Sequence, residues 1–552
     1  MTSTQTAAKS PSGHSLKREL GIVGLLFASV GSIIGSGWLF GALTAAQETG
    51  PAAIISWCIG AVMVMLIGLV YAELGSMFPI AGGVVRFPHL AFGSFASFTS
   101  GWITWVAAAT TAPIEVEGAL QYATKYADFT KAHTVGGETV HTLTALGYGA
   151  AVVLLAFFVV VNYIGISWFA RINNVLVGWK LVMIVLVIVT FLVTAFHGSN
   201  FHEYGFITHG WKGVFSAVAT SGIVFSYLGF RQAIELAGEG SNPKRNIPLA
   251  VVGSILITAV LYILLQIAFI GSVRPEDLMS SHGWSKLDFA NSFGPLAAIA
   301  SLIGVGWLAT LLYIDAFISP GDTGLIYTTT SARMTYAMAR NGNAPSGLAR
   351  TTSRGAPLIS LVLGFVVGLI VLLPFPSWQQ LVGFITSATV LSFGSGPLVL
   401  AALRRRLPDQ ERTFRLPGGD LIPILGFWSS NLIVYWTGWD IDWKLFVTVL
   451  LGWALLVLHE NISKETAPLD FLTGLWVPVW LVLLATLSFI GDFGGGKGWV
   501  GFWPAIGLAA LLSVGVFYWA VHLALPADRI NEHIVEAERD SDEEEAAFSD
   551  AG

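Results

Sequence analysis

The sequence predicts an all-α polytopic membrane protein, and three observations carry the prediction. The chain is 54% hydrophobic and 11% charged, with a mean hydropathy of +0.70, whereas soluble domains carry roughly 25% charged residues. Apolar runs long enough to cross a bilayer, which takes roughly 20 residues of helix, recur along its whole length. Lysine and arginine collect at alternate ends of those runs, the pattern left by basic loops retained on the inner side of a membrane.

In order, the apolar runs cover 20–46, 52–77, 95–122, 144–164, 168–196, 212–237, 247–273, 296–338, 357–374, 378–403, 421–439, 444–459, 470–491 and 499–525, which makes about 14 spans. With both termini inside, Lys17, Arg18, Lys244, Arg245, Arg354 and Arg404 to Arg406 share the inner face, while Lys125, Arg274 and Lys444 lie outside. The run 296–338 is long enough for two helices and contains Ser319-Pro-Gly-Asp-Thr-Gly324. Splitting it would put the arginines of 333–354 opposite Lys244, so it is read as one long helix with room for a bend.

The polar first fifteen residues lack the apolar core of a cleaved signal peptide, and span one is expected to act as an uncleaved anchor. A lone Cys58 excludes an intramolecular disulfide and reads as a small core residue. The stretch Glu536 to Asp550, containing Asp540-Ser-Asp-Glu-Glu-Glu545, reads as a solvated, disordered acidic tail. The net charge of −6 owes much to that tail, and no nucleic-acid partner is expected.

Two spans are unusually rich in helix-weakening residues. Span one contains Gly31-Ser-Ile-Ile-Gly-Ser-Gly-Trp-Leu-Phe-Gly41, where each interior glycine costs a helix about 1 kcal/mol relative to alanine. Span six contains Phe225-Ser-Tyr-Leu-Gly-Phe-Arg231, followed by Gln232-Ala-Ile-Glu-Leu-Ala-Gly-Glu-Gly240. Unwound backbone survives at membrane depth only where it lines a cavity or is buried in protein. Spans one and six open two five-helix halves. Because five is odd, the second half inserts inverted, giving a 5+5 inverted repeat with discontinuous helices 1 and 6 followed by four C-terminal helices. Amides at one half-helix end suit a carboxylate and carbonyls at the other an ammonium, so the paired breaks point to a zwitterionic substrate. The alternative is that these glycines serve close helix packing.

With Tyr71-Ala-Glu-Leu-Gly-Ser-Met-Phe-Pro-Ile-Ala-Gly-Gly83, Gly238-Glu-Gly-Ser-Asn-Pro-Lys-Arg-Asn-Ile-Pro248 and Ser331-Ala-Arg-Met-Thr-Tyr-Ala-Met-Ala-Arg-Asn-Gly342 in the same order, the chain resembles the amino acid-polyamine-organocation superfamily of permeases over roughly 18–405. The resemblance implies the leucine-transporter fold, with substrate held between spans one, three, six, eight and ten. It divides the chain into an N-terminal segment 1–17, repeats 18–197 and 198–406, additional helices 407–525 and the tail 526–552. It places the substrate carboxylate on the backbone of Ile34, Gly35, Ser36 and Gly37, and the amino group on carbonyls of Phe225, Ser226 and Leu228. It also implies that Lys180 of span five stands where sodium-dependent members hold an ion, contacting spans one and eight.

Charged groups inside spans cost at least about 2.5–3.5 kcal/mol each and need a partner or a task. A buried lysine can release its proton, which makes Lys180 the candidate proton carrier, with a snorkelling fixed charge as the alternative. Asp315 and Asp322 lie two helical turns apart in span eight and are candidates to face Lys180, with Thr323 as a hydrogen-bond partner. Arg231 either binds a second substrate carboxylate as a bidentate fork, favouring aspartate or glutamate, or pairs structurally with Glu235, Glu115 or Glu117. An unpaired Glu115 facing the cavity would instead favour a cationic amino acid. Glu73 and Glu239, near inner helix ends, read as gate or loop-anchoring ion pairs. Trp38, Tyr227 and Phe230 are candidate occluding aromatics beside the breaks, or packing residues.

No Walker-type GxxxxGK[ST] or HExxH is present, and no cysteine and histidine cluster has metal-ligand spacing. The histidines are assigned no metal, and neither enzyme activity nor a cofactor is expected. The expectation is a proton-coupled amino acid symporter in the plasma (inner) membrane, working by alternating access on an amino acid and protons, with oligomeric state open. An exchanger or facilitator on the same fold is the alternative, and a non-transporting nutrient sensor the remote one.

Overall fold

A computed structural model describes residues 20–549 except 81, 136–137, 165, 290–292, 341–343, 353–355, 376 and 463–468. The N-terminal segment 1–17 lies outside the described residues. The chain is mostly helical. The first part runs α1 (Ile22–Ile33), α2 (Gly37–Thr49), α3 (Ala53–Met77), α4 (Gly83–Phe92) and α5 (Ser94–Ala123). A hairpin follows, β1 (Thr130–Val135) antiparallel to β2 (Glu138–Leu143), with Thr130 opposite Leu143. Then come α6 (Ala145–Ile164), α7 (Ile166–Thr194), α8 (Gly210–Thr220), a 3-10 segment Phe225–Arg231, α9 (Gln232–Glu235), α10 (Pro243–Ser272), α11 (Pro275–Ser280), α12 (Pro295–Leu302) and α13 (Gly306–Arg340). The last part comprises α14 (Leu358–Val371), α15 (Trp378–Phe393), α16 (Ser395–Arg406), α17 (Leu421–Thr437), α18 (Trp439–Ile462), α19 (Phe471–Gly474), α20 (Trp476–Ile490), α21 (Phe502–Leu523) and α22 (Ala527–Ser549).

Each apolar run of the sequence is helical here. Among the described residues, 8 helical stretches are long and apolar enough to cross a membrane, or 9 if the bent pair Gly210–Thr220 and Phe225–Glu235 is one span. The helices sort by depth in the bundle. The most apolar 18 residues of Trp378–Arg406 are wholly buried, whereas those of Ala145–Ile164 are 28% buried, with Val153, Phe157 and Val160 at the surface of that helix. The buried stretch is the less apolar of the two, because hydroxyls such as Thr386, Ser387 and Ser392 find partners only inside protein, whereas outward valines and phenylalanines are what hydrocarbon accepts. At the centre α5 packs against α13 and α15, and α10 packs against α1 and α3.

The run expected to be one long helix over 296–338 is instead two. Helix α12 ends at Leu302, Gly304 adopts φ 84°, and the Val305 amide returns to the Ala300 carbonyl at 2.8 Å. That is a glycine-terminated Schellman turn, which satisfies the carbonyls at the helix end. Pro320, which favoured a bend, is accommodated inside the 35-residue α13. Cys58, expected in the core, is exposed on α3. The acidic tail also differs, because the chain is helical over Ala527–Ser549. Ile530 and His533 are buried there, with Ile534 and Ala537 partly so, a one-face spacing that packs the early turns of α22 on α4.

Candidate functional site

The site starts at the gap between α1 and α2. Ile34, with φ −89° and ψ 85°, leaves helical geometry after Ile33, and α2 resumes at Gly37. The glycines are required by close approach. A Cβ on Gly35 would come within 2.5 Å of Glu115 Oε1, and one on Gly37 would collide with Ser226 Oγ. The Ser36 amide donates to Glu115 Oε2 at 2.6 Å, and the Trp378 indole donates to Ser36 Oγ at 2.8 Å. The Ile33 carbonyl accepts from Tyr262 Oη at 3.4 Å. Backbone groups that no longer pair within a helix are thus met by side chains from α5 and α10, while α15 holds the Ser36 hydroxyl.

The second irregular stretch faces the first. Helix α8 stops at Thr220, Gly222 adopts φ 82°, and the following 3-10 turn is bent 44° from α8. A Cβ on Gly229 would strike the backbone of Ser32 and Ile33, so the two chains touch main chain to main chain. Ser29 Oγ donates to the Phe230 carbonyl at 3.2 Å and accepts from the Ala233 amide at 3.1 Å, fixing their register.

Lys180, fully buried on α7, reaches the first gap. Its Nζ lies 2.8 Å from the Gly31 carbonyl, 2.6 Å from Asp322 Oδ2 and 3.3 Å from Thr323 Oγ1. Thr323 Oγ1 also sits 3.2 Å from both the Gly31 and the Ile34 carbonyls. One ammonium therefore joins α7, α1 and α13. Asp315 takes no part: its Oδ1 accepts from Trp179 Nε1 and Ser319 Oγ, each at 2.8 Å.

Between these elements lies a small cavity walled by Ile33, Thr111, Glu115, Phe225, Leu228 and Tyr327, with room for little more than a water molecule. Arg231 is 1% exposed beside it, with its guanidinium 5.0 Å from the centre of the Tyr327 ring. None of its three side-chain nitrogens has a hydrogen-bond partner among the described residues. The structural pairings considered for it, with Glu235, Glu115 or Glu117, are not formed. Glu235 Oε1 and both oxygens of Glu117 are likewise buried without partners.

Glu73 is fully buried at the end of α3, where Arg404 Nε donates to its Oε1 at 2.8 Å, Arg404 Nη2 pairs with its Oε2, and the Leu416 amide donates at 2.8 Å. The side chain of Glu239 lies outside the described residues. Trp38 is fully buried, Tyr227 packs on Trp57 and Tyr262, and Phe230 packs on Phe393. The aromatic rings beside Ser36 are instead Trp378 and its neighbours Phe40 and Phe225. Sequence reasoning missed Trp378, one of 20 tryptophans with no local mark. It weighed Glu115 as a partner for Arg231 and as a cavity-facing group, and did not bring its carboxylate to the Ser36 amide.

The model of a family described as "Amino acid permease" matches residues 20–460. The chain is similar to the glutamate/serine transporter AimA of Bacillus subtilis (strain 168), 39% identical over 512 residues, covering 92% of this chain and 94% of the relative. It is also similar to the aspartate-proton symporter of the same organism, 34% identical over 519 residues, covering 93% and 98%. A branched-chain amino acid permease, BcaP, of that organism is 25% identical over 465 residues, covering 81% and 94%. With motifs in order, a buried ammonium at the gap in span one and a family match across most of its length, this multi-pass membrane chain belongs to the amino acid permeases of the amino acid-polyamine-organocation superfamily.

Proposed function

We propose that the protein is a proton-coupled symporter of amino acids with a preference for aspartate and glutamate, built as a 5+5 inverted repeat with four added helices and with both termini inside the cell. The observation that carries the reading is Arg231, a buried guanidinium beside the cavity whose three nitrogens have no hydrogen-bonded carboxylate among the described residues. A dicarboxylic amino acid supplies that anion: its side-chain carboxylate takes the Arg231 fork, its α-carboxylate the Ile34 to Gly37 backbone, and its ammonium the carbonyls of Phe225, Ser226 and Leu228. The names of two relatives, a glutamate/serine transporter and an aspartate-proton symporter, support the same cargo.

Glu115 now has a task in this reading. It holds the Ser36 amide that the substrate carboxylate needs, and two carboxylates competing for one donor repel each other. Substrate entry displaces Glu115, which must pick up a proton or turn away. Lys180, Asp322 and Thr323 carry the second half of the coupling, because a proton entering or leaving that cluster loosens the tie between α7, α1 and α13. Trp378 and Phe225 close the site beside Ser36, Trp38, Tyr227 and Phe230 pack behind the two breaks, and the Glu73–Arg404 pair holds the inner end of α3.

The test is uptake of labelled aspartate, glutamate, serine and lysine into proteoliposomes under an inward proton gradient. A charge-assisted fork contributes about 1.5–3 kcal/mol, so Arg231→Ala should lower aspartate and glutamate uptake roughly 10- to 100-fold while serine uptake is largely spared. Equal loss of all substrates, or none, removes Arg231 from recognition. Gradient-independent uptake would favour an exchanger.

A further inference from the structure

Helix α4 joins the α3 and α5 spans through two glycines at positive φ, Gly82 at 68° and Gly93 at 80°, a backbone conformation that other residues adopt only with strain. The C-terminal helix α22 lies against it. The Leu525 amide donates to the Ala91 carbonyl at 2.9 Å, and Arg86 Nη1 donates to the Ala537 carbonyl at 3.0 Å. Between these contacts the imidazoles of His89 and His533 are stacked, with centroids 4.3 Å apart and planes 20° from parallel.

Three features make this more than packing. His533 Nδ1 lies 3.1 Å from the His89 carbonyl; a carbonyl only accepts, so Nδ1 carries the proton and the Nε2 lone pair is left free. The half-buried His89 ring presents a second imidazole in the same stack. Glu536 stands one turn beyond His533 on the same helix face, and one ligand atom from each of the three residues lies within 4.8 Å of the others.

We propose that His89, His533 and Glu536 form a binding site for a divalent transition-metal ion of the zinc class, which braces α22 against α4. Two imidazoles and a carboxylate are a common zinc donor set, bound at about 2.0–2.2 Å with a fourth position left for water. The carbonyl partner of His533 Nδ1 supplies the outer hydrogen bond that orients a metal-bound histidine. Closing on an ion requires one ring to swing about χ2 out of the stack and the donors to draw in by roughly 1 Å. Magnesium and calcium, which prefer all-oxygen sites, are poor occupants. Because the ligands come from both helices, occupancy fixes α4 between its two glycines.

The experiment is titration of the purified full chain with zinc by calorimetry, and with cobalt by visible absorption, followed by uptake into proteoliposomes with zinc or a chelator. The expected result is one equivalent per chain, with affinity at least tenfold weaker in both His89→Ala and His533→Ala, weaker in Glu536→Gln, and no displacement by excess magnesium. Zinc should slow uptake by the parent protein and leave His533→Ala unaffected. Each variant must remain monodisperse and retain chelator-treated uptake, which separates lost metal binding from lost folding. Absence of stoichiometric binding, or binding unchanged in the two histidine variants, overturns the site. Binding with no effect on uptake overturns the brace.

Discussion

At the scale of single residues, the site is organised by what it lacks room for and what it leaves unpaired. Gly35→Ala would put a methyl group against Glu115 Oε1, forcing that carboxylate off the Ser36 amide. Uptake should fall at least tenfold while the purified variant still folds, as read by thermal unfolding in detergent. Arg231 presents the opposite case. A buried charge without a partner costs more than the apolar side chain that would replace it, so Arg231→Met should raise the melting temperature of the substrate-free protein by several degrees while lowering acidic amino acid uptake. A lower melting temperature would show that Arg231 holds the fold together. Both residues were legible in the sequence as types at marked positions. The lack of a partner for Arg231 was not, because Glu115, Glu117 and Glu235 were each within reach until packing placed them.

At the scale of elements, local chemistry decided where helices end and tertiary contact decided what they touch. The Gly304 turn that separates α12 from α13 stands in the sequence as a glycine after an apolar stretch, whereas the charge-sidedness argument concerned the break offered by Ser319-Pro320. That argument assumed that both pieces span, and the 8-residue α12 is too short to cross a bilayer. The α22 face was equally readable as Ile530, Ile534 and Ala537, and was obscured by the acidic composition beyond it. The hairpin gives a pH-dependent case. His141 on β2 is held below its ordinary value chiefly by burial, with Asp288 pulling the other way. The unfolded strand therefore binds a proton that the folded one refuses, and folded stability must fall as pH drops below about 6.5. Amide exchange over 130–143, corrected for its intrinsic pH dependence, should be faster relative to the unfolded rate at pH 5.5 than at pH 7.5. An unchanged protection factor would show that His141 does not govern the hairpin.

At the scale of the whole molecule, coupling requires that one group see several helices at once, and Lys180 does so through Gly31, Asp322 and Thr323. Lys180→Ala should abolish accumulation driven by a proton gradient while substrate binding persists. Removing the ammonium also strands Asp322, at a cost of about 3–5 kcal/mol. The double variant Lys180→Met with Asp322→Asn, which removes both charges, therefore serves as the folding control and should also fail to accumulate substrate. Undiminished concentrative uptake by either would rule out Lys180 as the proton carrier.

The sequence by itself determined the class of the molecule, its helical segments and the two stretches where helix gives way. Those properties follow from hydrophobicity and glycine placement, which act over a few neighbouring residues. Only the tertiary structure decided which buried charges meet: that Lys180 takes Asp322 while Asp315 turns to Trp179, that Glu115 holds the Ser36 amide, and that Arg231 is left with Tyr327. Such pairings join residues far apart in the chain, and their outcome depends on ångström-scale packing that no local pattern encodes.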